Sequence, residues 1–213
     1  MLKELNNTQE IYEKKSEKVE KWIAIGDIHA SIKPLKVILD KAKEFKDHQL
    51  IFLGDYFDYG ENLPEVLDAL IEKDSESVYL YGNHEVEFLN FLKKYGKSDF
   101  DRNKILNHFR ISEDHVCWLK KNLKYFHETD SAFFSHAGID DQYGLNRQSK
   151  HSLLYSSYRG DLSHVTYKFV IQGHIPVKKV RHVGMHWFLD SKCGLGGKLS
   201  ALLYPELKVI TSN

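Results

Sequence analysis

The chain has 213 residues, enough for one sizeable hydrophobic core and short for two independent domains. Its 30 Lys and Arg balance 30 Asp and Glu, which excludes a global basic field for nucleic acid or lipid; a polyanion would have to be attracted locally, for example by bound metal. Two cysteines exclude a disulfide framework and no apolar run approaches the ~20 residues of a membrane span, so the expectation is a cytoplasmic protein with no membrane partner.

Residues 1–21 read as a charged N-terminal extension rich in Lys and Glu, with a solvated helix expected from Glu10 to Glu20. Residues 22–213 are expected to form a single domain. Trp22-Ile23-Ala24-Ile25 predicts a buried strand ending at Gly26-Asp27, and residues 32–45 then place Ile32, Leu35, Ile38, Leu39, Ala42 and Phe45 at helical spacing. Leu50-Ile51-Phe52-Leu53 predicts a second strand, stopping at Gly54-Asp55, with a helix over residues 62–72 whose Pro64 suits a first turn. A third strand, Val78-Tyr79-Leu80-Tyr81, stops at Gly82-Asn83-His84, and residues 85–95 read as helix. Three such units argue for parallel strands with right-handed crossovers, whose carboxyl ends line one ligand crevice.

Residues 98–125 read as a mainly helical insertion, with Ser98, Ser112 and Asp114 as possible caps and Cys117 as a buried thiol. The second half turns strand-rich: Ala132-Phe133-Phe134-Ser135, Phe169-Val170-Ile171-Gln172, His186-Trp187-Phe188-Leu189, residues 199–204 and residues 208–210.

Five polar clusters follow these strands. They are Gly26-Asp27-Ile28-His29, Gly54-Asp55-Tyr56-Phe57-Asp58, Gly82-Asn83-His84-Glu85, Ser135-His136-Ala137-Gly138 and Gln172-Gly173-His174-Ile175-Pro176. A single Gly-Asp after a strand is an ordinary turn, and a single His is more often packed than ligating. Five together are different, because carboxylates converging on one crevice resist ionisation unless a cation neutralises them. Imidazoles in the same set favour transition metals over calcium. The minimal arrangement puts Asp27, His29 and Asp55 on one ion, and Asp55, Asn83, His136 and His174 on the other, with Asp55 bridging. His84 is then placed to protonate a leaving oxygen, with Asp58 as its acidic partner.

At these motifs the sequence resembles the calcineurin-like metallophosphoesterases, and within them the phosphoprotein phosphatase branch, including small bacterial and phage phosphatases and symmetrical diadenosine tetraphosphatases. Leu189-Asp190-Ser191-Lys192-Cys193-Gly194, followed by Gly196-Gly197-Lys198-Leu199, resembles that branch's last motif. The resemblance implies an α/β fold of two mixed β-sheets flanked by helices, with the metal site at the strand ends. It implies the same ligands, two divalent ions of the Mn²⁺ class (Fe or Zn as alternatives), His84 as general acid with Asp58, and direct attack by a hydroxide held between the ions. One departure is plain: the Arg expected after the second Asp is Tyr59. A tyrosine offers one hydrogen bond and no charge, so Arg159 is expected to take over the phosphate contact.

The function expected first is a phosphomonoesterase acting on phosphoserine or phosphothreonine protein or on small phosphate esters. The alternative is hydrolysis of a diadenosine polyphosphate or a nucleotide-capped RNA, favoured by Tyr56, Phe57, Tyr59, Tyr155 and Tyr158 as faces for bases. A metal-bound regulatory protein without turnover is the non-enzymatic alternative.

Overall fold

The computed structural model describes residues 20–73 and 77–213. The helix expected over Glu10 to Glu20 lies, but for its last residue, outside the described residues.

Three strands, β1 (Trp22–Ile25), β2 (Gln49–Phe52) and β3 (Val78–Leu80), alternate with helices α1 (Ile32–Ala42), α2 (Leu63–Lys73) and α3 (Asn83–Tyr95). The three strands are parallel, as the repeated strand–helix pattern requires. Helix α1 stops at Ala42, three residues short of the expected end, where Lys43 and Phe45 donate to Asp40 and Ala42 in tighter turns.

Helices α4 (Asp99–Phe109) and α5 (Glu113–Asn122) come next, capped by Ser98 and Ser112 through their side-chain oxygens. Asp114 is inside the first turn of α5 and caps nothing. Cys117 is exposed, against the buried thiol expected: Val116 and Leu119 supply the inward face of α5, and a residue one step from Val116 rotates ~100° away from it. The helical run ends at Asn122 rather than residue 125, because β4 (Leu123–Lys124) joins the edge of the first sheet beside β3.

Strands β5 (Phe126–Glu128), β6 (Ala132–Ser135), β7 (Phe169–Gln172), β8 (Arg181–Val183) and β9 (His186–Phe188) build a second sheet, ordered β5-β6-β7-β9-β8. Helix α6 (Lys150–Tyr155) lies between β6 and β7 in the chain. Strands β10 (Ser200–Tyr204) and β11 (Lys208–Thr211) return to the first sheet, which runs β11-β10-β1-β2-β3-β4. The sequence pattern did not announce β4, β5, β8 or α6; each is six residues or fewer, too short for a period to emerge.

Alternation along the strands divides the core. Trp22 and Ala24 of β1, Ile51 of β2, Phe134 of β6 and Ile171 of β7 share one cluster between the two sheets. Ile23 and Ile25 point the other way, into a second cluster with α1 to α5. Phe133 and Val170 face outward from the second sheet onto Leu153 of α6. Burial on both faces is why these strands read as continuous apolar runs. It also leaves only their ends for chemistry.

Candidate active site

The loops after β1, β2 and β3 meet the loops after β6, β7 and β9 at one end of the paired sheets. Asp27, His29, Asp55, Tyr59, Asn83, His84, His174, Pro176, Asp190, Lys192, Gly194 and Leu195 line a single cleft there, of about 180 Å³. His136 lies fully buried beneath it, its Nε2 3.3 Å from Asp55 Oδ2. All six expected metal-binding residues therefore converge.

Two sets of donor atoms are compact enough for a cation. One is Asp55, His136 and His174; the other is His29, Asp55 and His84, and within each set the donor atoms lie within 4.8 Å of one another. Asn83 Oδ1 adds to the first set, 3.0 Å from His136 Nε2 and 3.1 Å from His174 Nδ1. Asp27 borders the second, with Oδ2 4.0 Å from His29 Nε2. Asp55 belongs to both sets. Lone pairs outnumber protons at this point, and the mixture of imidazole, carboxylate and amide oxygen fits divalent transition ions.

The backbone holds these atoms in place. His29 Nδ1 bonds the Phe57 carbonyl at 2.8 Å and His136 Nδ1 bonds the Leu53 carbonyl at 2.9 Å, which turns each Nε2 into the cleft. The His174 amide donates to both Asp27 oxygens, at 3.2 and 2.9 Å. A side chain at Gly173 would overlap Asp27 Oδ1, and one at Gly82 would overlap Asp55 Oδ1, so glycine is required for these approaches. His29, Asp55, Asp58, Tyr59, His174 and Lys192 all have φ between 46° and 65°, a conformation that non-glycine residues avoid unless their surroundings enforce it.

Glu85 was quoted in a motif yet given no role by sequence reasoning. Its fully buried carboxylate accepts the amides of Asp55, Tyr56, Phe57 and Gly82, at 2.8 to 3.2 Å. One side chain thus fastens the loop after β2 to the start of α3. Burial, together with the charge of Asp55, pushes the Glu85 carboxyl up to about 7 in spite of those donors.

The charges around Asp55 are mutually dependent. Burial raises its carboxyl, but His136, His84 and His29 outweigh burial and hold it at about 2. Burial lowers His136, and the carboxylates of Asp55, Asp27 and Glu85 outweigh that and push it to about 10. His174 goes the other way, down to about 4, through burial and the neighbouring His136 charge. Burial and Asp190 raise Asp27.

His84 Nδ1 is hydrogen-bonded to Asp58 Oδ2, and its Nε2 stands 3.7 Å from Asp55 Oδ2. The bond to Asp58 raises the His84 pKa against partial burial. Tyr59 packs edge-on to His29 and His84, at 4.7 and 5.8 Å between ring centroids, and is 60% exposed. Arg159 does not line the cleft: its Nε donates to Asp141 at 2.9 Å and its Nη1 to the carbonyls of Ser157 and Tyr158. Of the aromatic faces expected to meet a base, Tyr56 and Phe57 are buried in the core, Tyr56 donating to the Leu80 carbonyl. Asp190 and Lys192 do line the cleft; the motif around them was visible in the sequence, but nothing in it said which side chains would reach the site.

A family model for calcineurin-like phosphoesterases matches residues 21–208. The chain belongs to that family. It is a hydrolase acting on phosphoester bonds, of a divalent-metal-dependent kind. The phosphoesterase is 25% identical over 224 residues to the asymmetrical bis(5′-nucleosyl)-tetraphosphatase PrpE of Halalkalibacterium halodurans, covering 88% of this chain and 91% of that relative. Among solved structures, one described as a putative diadenosine tetraphosphatase superposes with a TM-score of 0.73 at 21% identity, over 92% of this chain and 94% of the other. A mutant cold-active protein tyrosine phosphatase superposes at 0.68 with 18% identity, over 92% and 81%. The two mixed sheets flanked by helices are the architecture these structures share with the phosphoesterase.

Proposed function

We propose that the phosphoesterase hydrolyses nucleoside polyphosphates, dinucleoside tetraphosphates among them, at this cleft. The observation that carries the reading is a cleft lined by aspartates and histidines and too small for a nucleoside, with the exposed face of Tyr59 at its mouth. At about 180 Å³ it falls below the ~300 Å³ of a typical small-ligand pocket, so it takes a phosphoryl group and leaves the base to stack outside. The naming of full-length relatives as tetraphosphatases supports the same reading.

In this reading Asp27, His29 and Asp55 would hold one ion, and Asp55, Asn83, His136 and His174 the other, Mn²⁺ being the first choice. When bound, the ions supply Lewis-acid polarisation of the phosphoryl group and a water acidic enough to ionise near neutral pH. His84 gives a proton from Nε2 to the leaving oxygen, while Asp58 holds Nδ1 and keeps the imidazole charged and oriented. Tyr59 offers its ring and hydroxyl to the substrate. Arg159 would reach a phosphate only by leaving Asp141.

The small volume favours a second reading as well, since a phosphomonoester on a protein or small molecule needs no more room. Turnover of diadenosine tetraphosphate, p-nitrophenyl phosphate and a phosphoserine peptide by metal-stripped protein resupplied with Mn²⁺ separates the two. Diadenosine tetraphosphate should give the highest kcat/KM; a higher value for either monoester would establish the second reading instead.

A further inference from the structure

Among the residues lining the cleft, three are aspartates, Asp27, Asp55 and Asp190, and one is a lysine, Lys192. Among the described residues no carboxylate forms an ion pair with the Lys192 ammonium, whereas Lys21, Lys43 and Lys168 each have one. A lysine beside three acids and paired with none of them is available to an anion entering from solvent.

Its backbone is held firmly. Lys192 takes φ 65°, the left-handed region that a residue with a β-carbon avoids. The conformation is enforced by its own amide, which donates to Asp190 Oδ1 at 2.8 Å, and by its carbonyl, which accepts from Leu195 and Gly197 at 3.0 and 2.8 Å. Two residues on, a β-carbon at Gly194 would stand 3.0 Å from the Tyr59 β-carbon, so the loop is seated directly against the wall that carries Tyr59. Asp190 begins the same loop buried in the wall of the cleft, while Leu195 at its tip is 63% exposed. The loop therefore spans from the reacting centre to the mouth.

We propose that Lys192 binds the phosphate next to the one being attacked, and so makes the cleft selective for phosphoanhydride chains over monoesters. This deepens the nucleotide reading above and rests on it. The reacting phosphoryl group meets the imidazoles and the metal-binding floor; a second phosphate, displaced toward the mouth, leaves that floor and needs its own counter-charge. Lysine suits that position, because a compact point charge on a flexible stem follows a phosphate chain. Tyr59, uncharged and on the same wall, leaves the Lys192 charge to the substrate.

Binding of AMP and ADP to the Mn²⁺-loaded protein, with Mn²⁺ in excess, isolates the added phosphate on an unchanged nucleoside. Calorimetry should find ADP bound at least ~10-fold more tightly than AMP, the scale of a charge-assisted contact. Lys192→Met should shrink that ratio to within about threefold while leaving AMP affinity unchanged, and Lys192→Arg should retain most of it, with thermal melts confirming that both variants are folded. In turnover, Lys192→Met should raise KM for diadenosine tetraphosphate and leave p-nitrophenyl phosphate within about threefold. Equal AMP and ADP affinities in the wild type, or an unchanged ratio in Lys192→Met, would overturn the assignment to Lys192. Binding of neither nucleotide by the wild type would instead sink the nucleotide reading itself.

Discussion

The floor and the mouth of the cleft are built on different principles. On the floor Asp27, Asp55 and His136 are buried, each side chain hydrogen-bonded to a backbone amide or carbonyl of a neighbouring loop or helix start. At the mouth Tyr59 and Leu195 are mostly exposed, and Lys192 depends on its own loop. Chemistry that must be exact within tenths of an ångström sits where the scaffold fixes it. Recognition, which varies between substrates, sits on loops that can change without disturbing the sheets. Changes on the floor should thus abolish turnover, and changes at the mouth should redistribute it among substrates.

The largest effect is expected at Asp55, which belongs to both donor sets. Asp55→Asn should lose at least one equivalent of Mn²⁺ by elemental analysis and at least ~10³-fold in kcat, more than the ~10²-fold typical of losing an outer hydrogen-bond partner. Full metal content with near-normal turnover would break the floor's definition.

Next is His84, where the floor meets the mouth. His84→Asn should keep its metal, since Asp27, His29 and Asp55 remain for the ion beside it, and slow a poor leaving group by ~10²- to 10⁴-fold. The defect should shrink for an activated leaving group such as p-nitrophenolate; equal defects on both would remove the proton-donor role.

Removing the metal sharpens the contrast through pH. A group whose pKa is higher in the folded protein stabilises below its unfolded value and loses that contribution as pH rises through the folded one. For Glu85 that window runs from 4.5 to about 7, and for His136 from 6.5 to about 10. His174, lowered from 6.5 to about 4, works in the opposite sense, but only below 6.5. Metal-free protein should therefore melt at a lower temperature at pH 8.5 than at pH 7. Mn²⁺ should raise the melting temperature more at pH 8.5, because a cation displaces the His136 proton. A gain that is smaller at pH 8.5 would contradict this arrangement.

Glu85 tests the brace behind the floor. Glu85→Gln places an amide NH₂ against four N–H donors and should destabilise the protein by ~1–3 kcal/mol in denaturant titrations, the scale of buried donors left unsatisfied. No loss of stability would show that the loop after β2 holds itself.

The smallest effects belong to the mouth. Tyr59→Arg should leave monoester turnover unchanged or raise it. Arg159→Ala should stay within about threefold, since the Arg159 guanidinium serves Asp141. A ~10²-fold loss in Arg159→Ala would put that arginine back on the phosphate.

The residues gathered on the floor could be named from the sequence, because strand-end Gly-Asp and Gly-His breaks leave a mark at fixed places in an apolar pattern. The same pattern announced β1 to β3 as parallel strands but not the short edges β4, β5 and β8. The mouth was harder to read. Arg159 and Lys192 both lie in irregular loops, and which cation reaches the cleft depends on loop paths that no periodicity encodes. Glu85 escaped for another reason: a carboxylate that binds four amides leaves no trace outside the folded chain.

Asp55 stands where two candidate cation sites meet on the floor of one cleft. Anomalous diffraction from crystals soaked in MnCl₂ tests it most directly. Two Mn²⁺ peaks are expected in the cleft, with Asp55 touching both, His29 beside one, and His136 and His174 beside the other. A single peak, or two peaks of which either lies away from Asp55, would contradict it.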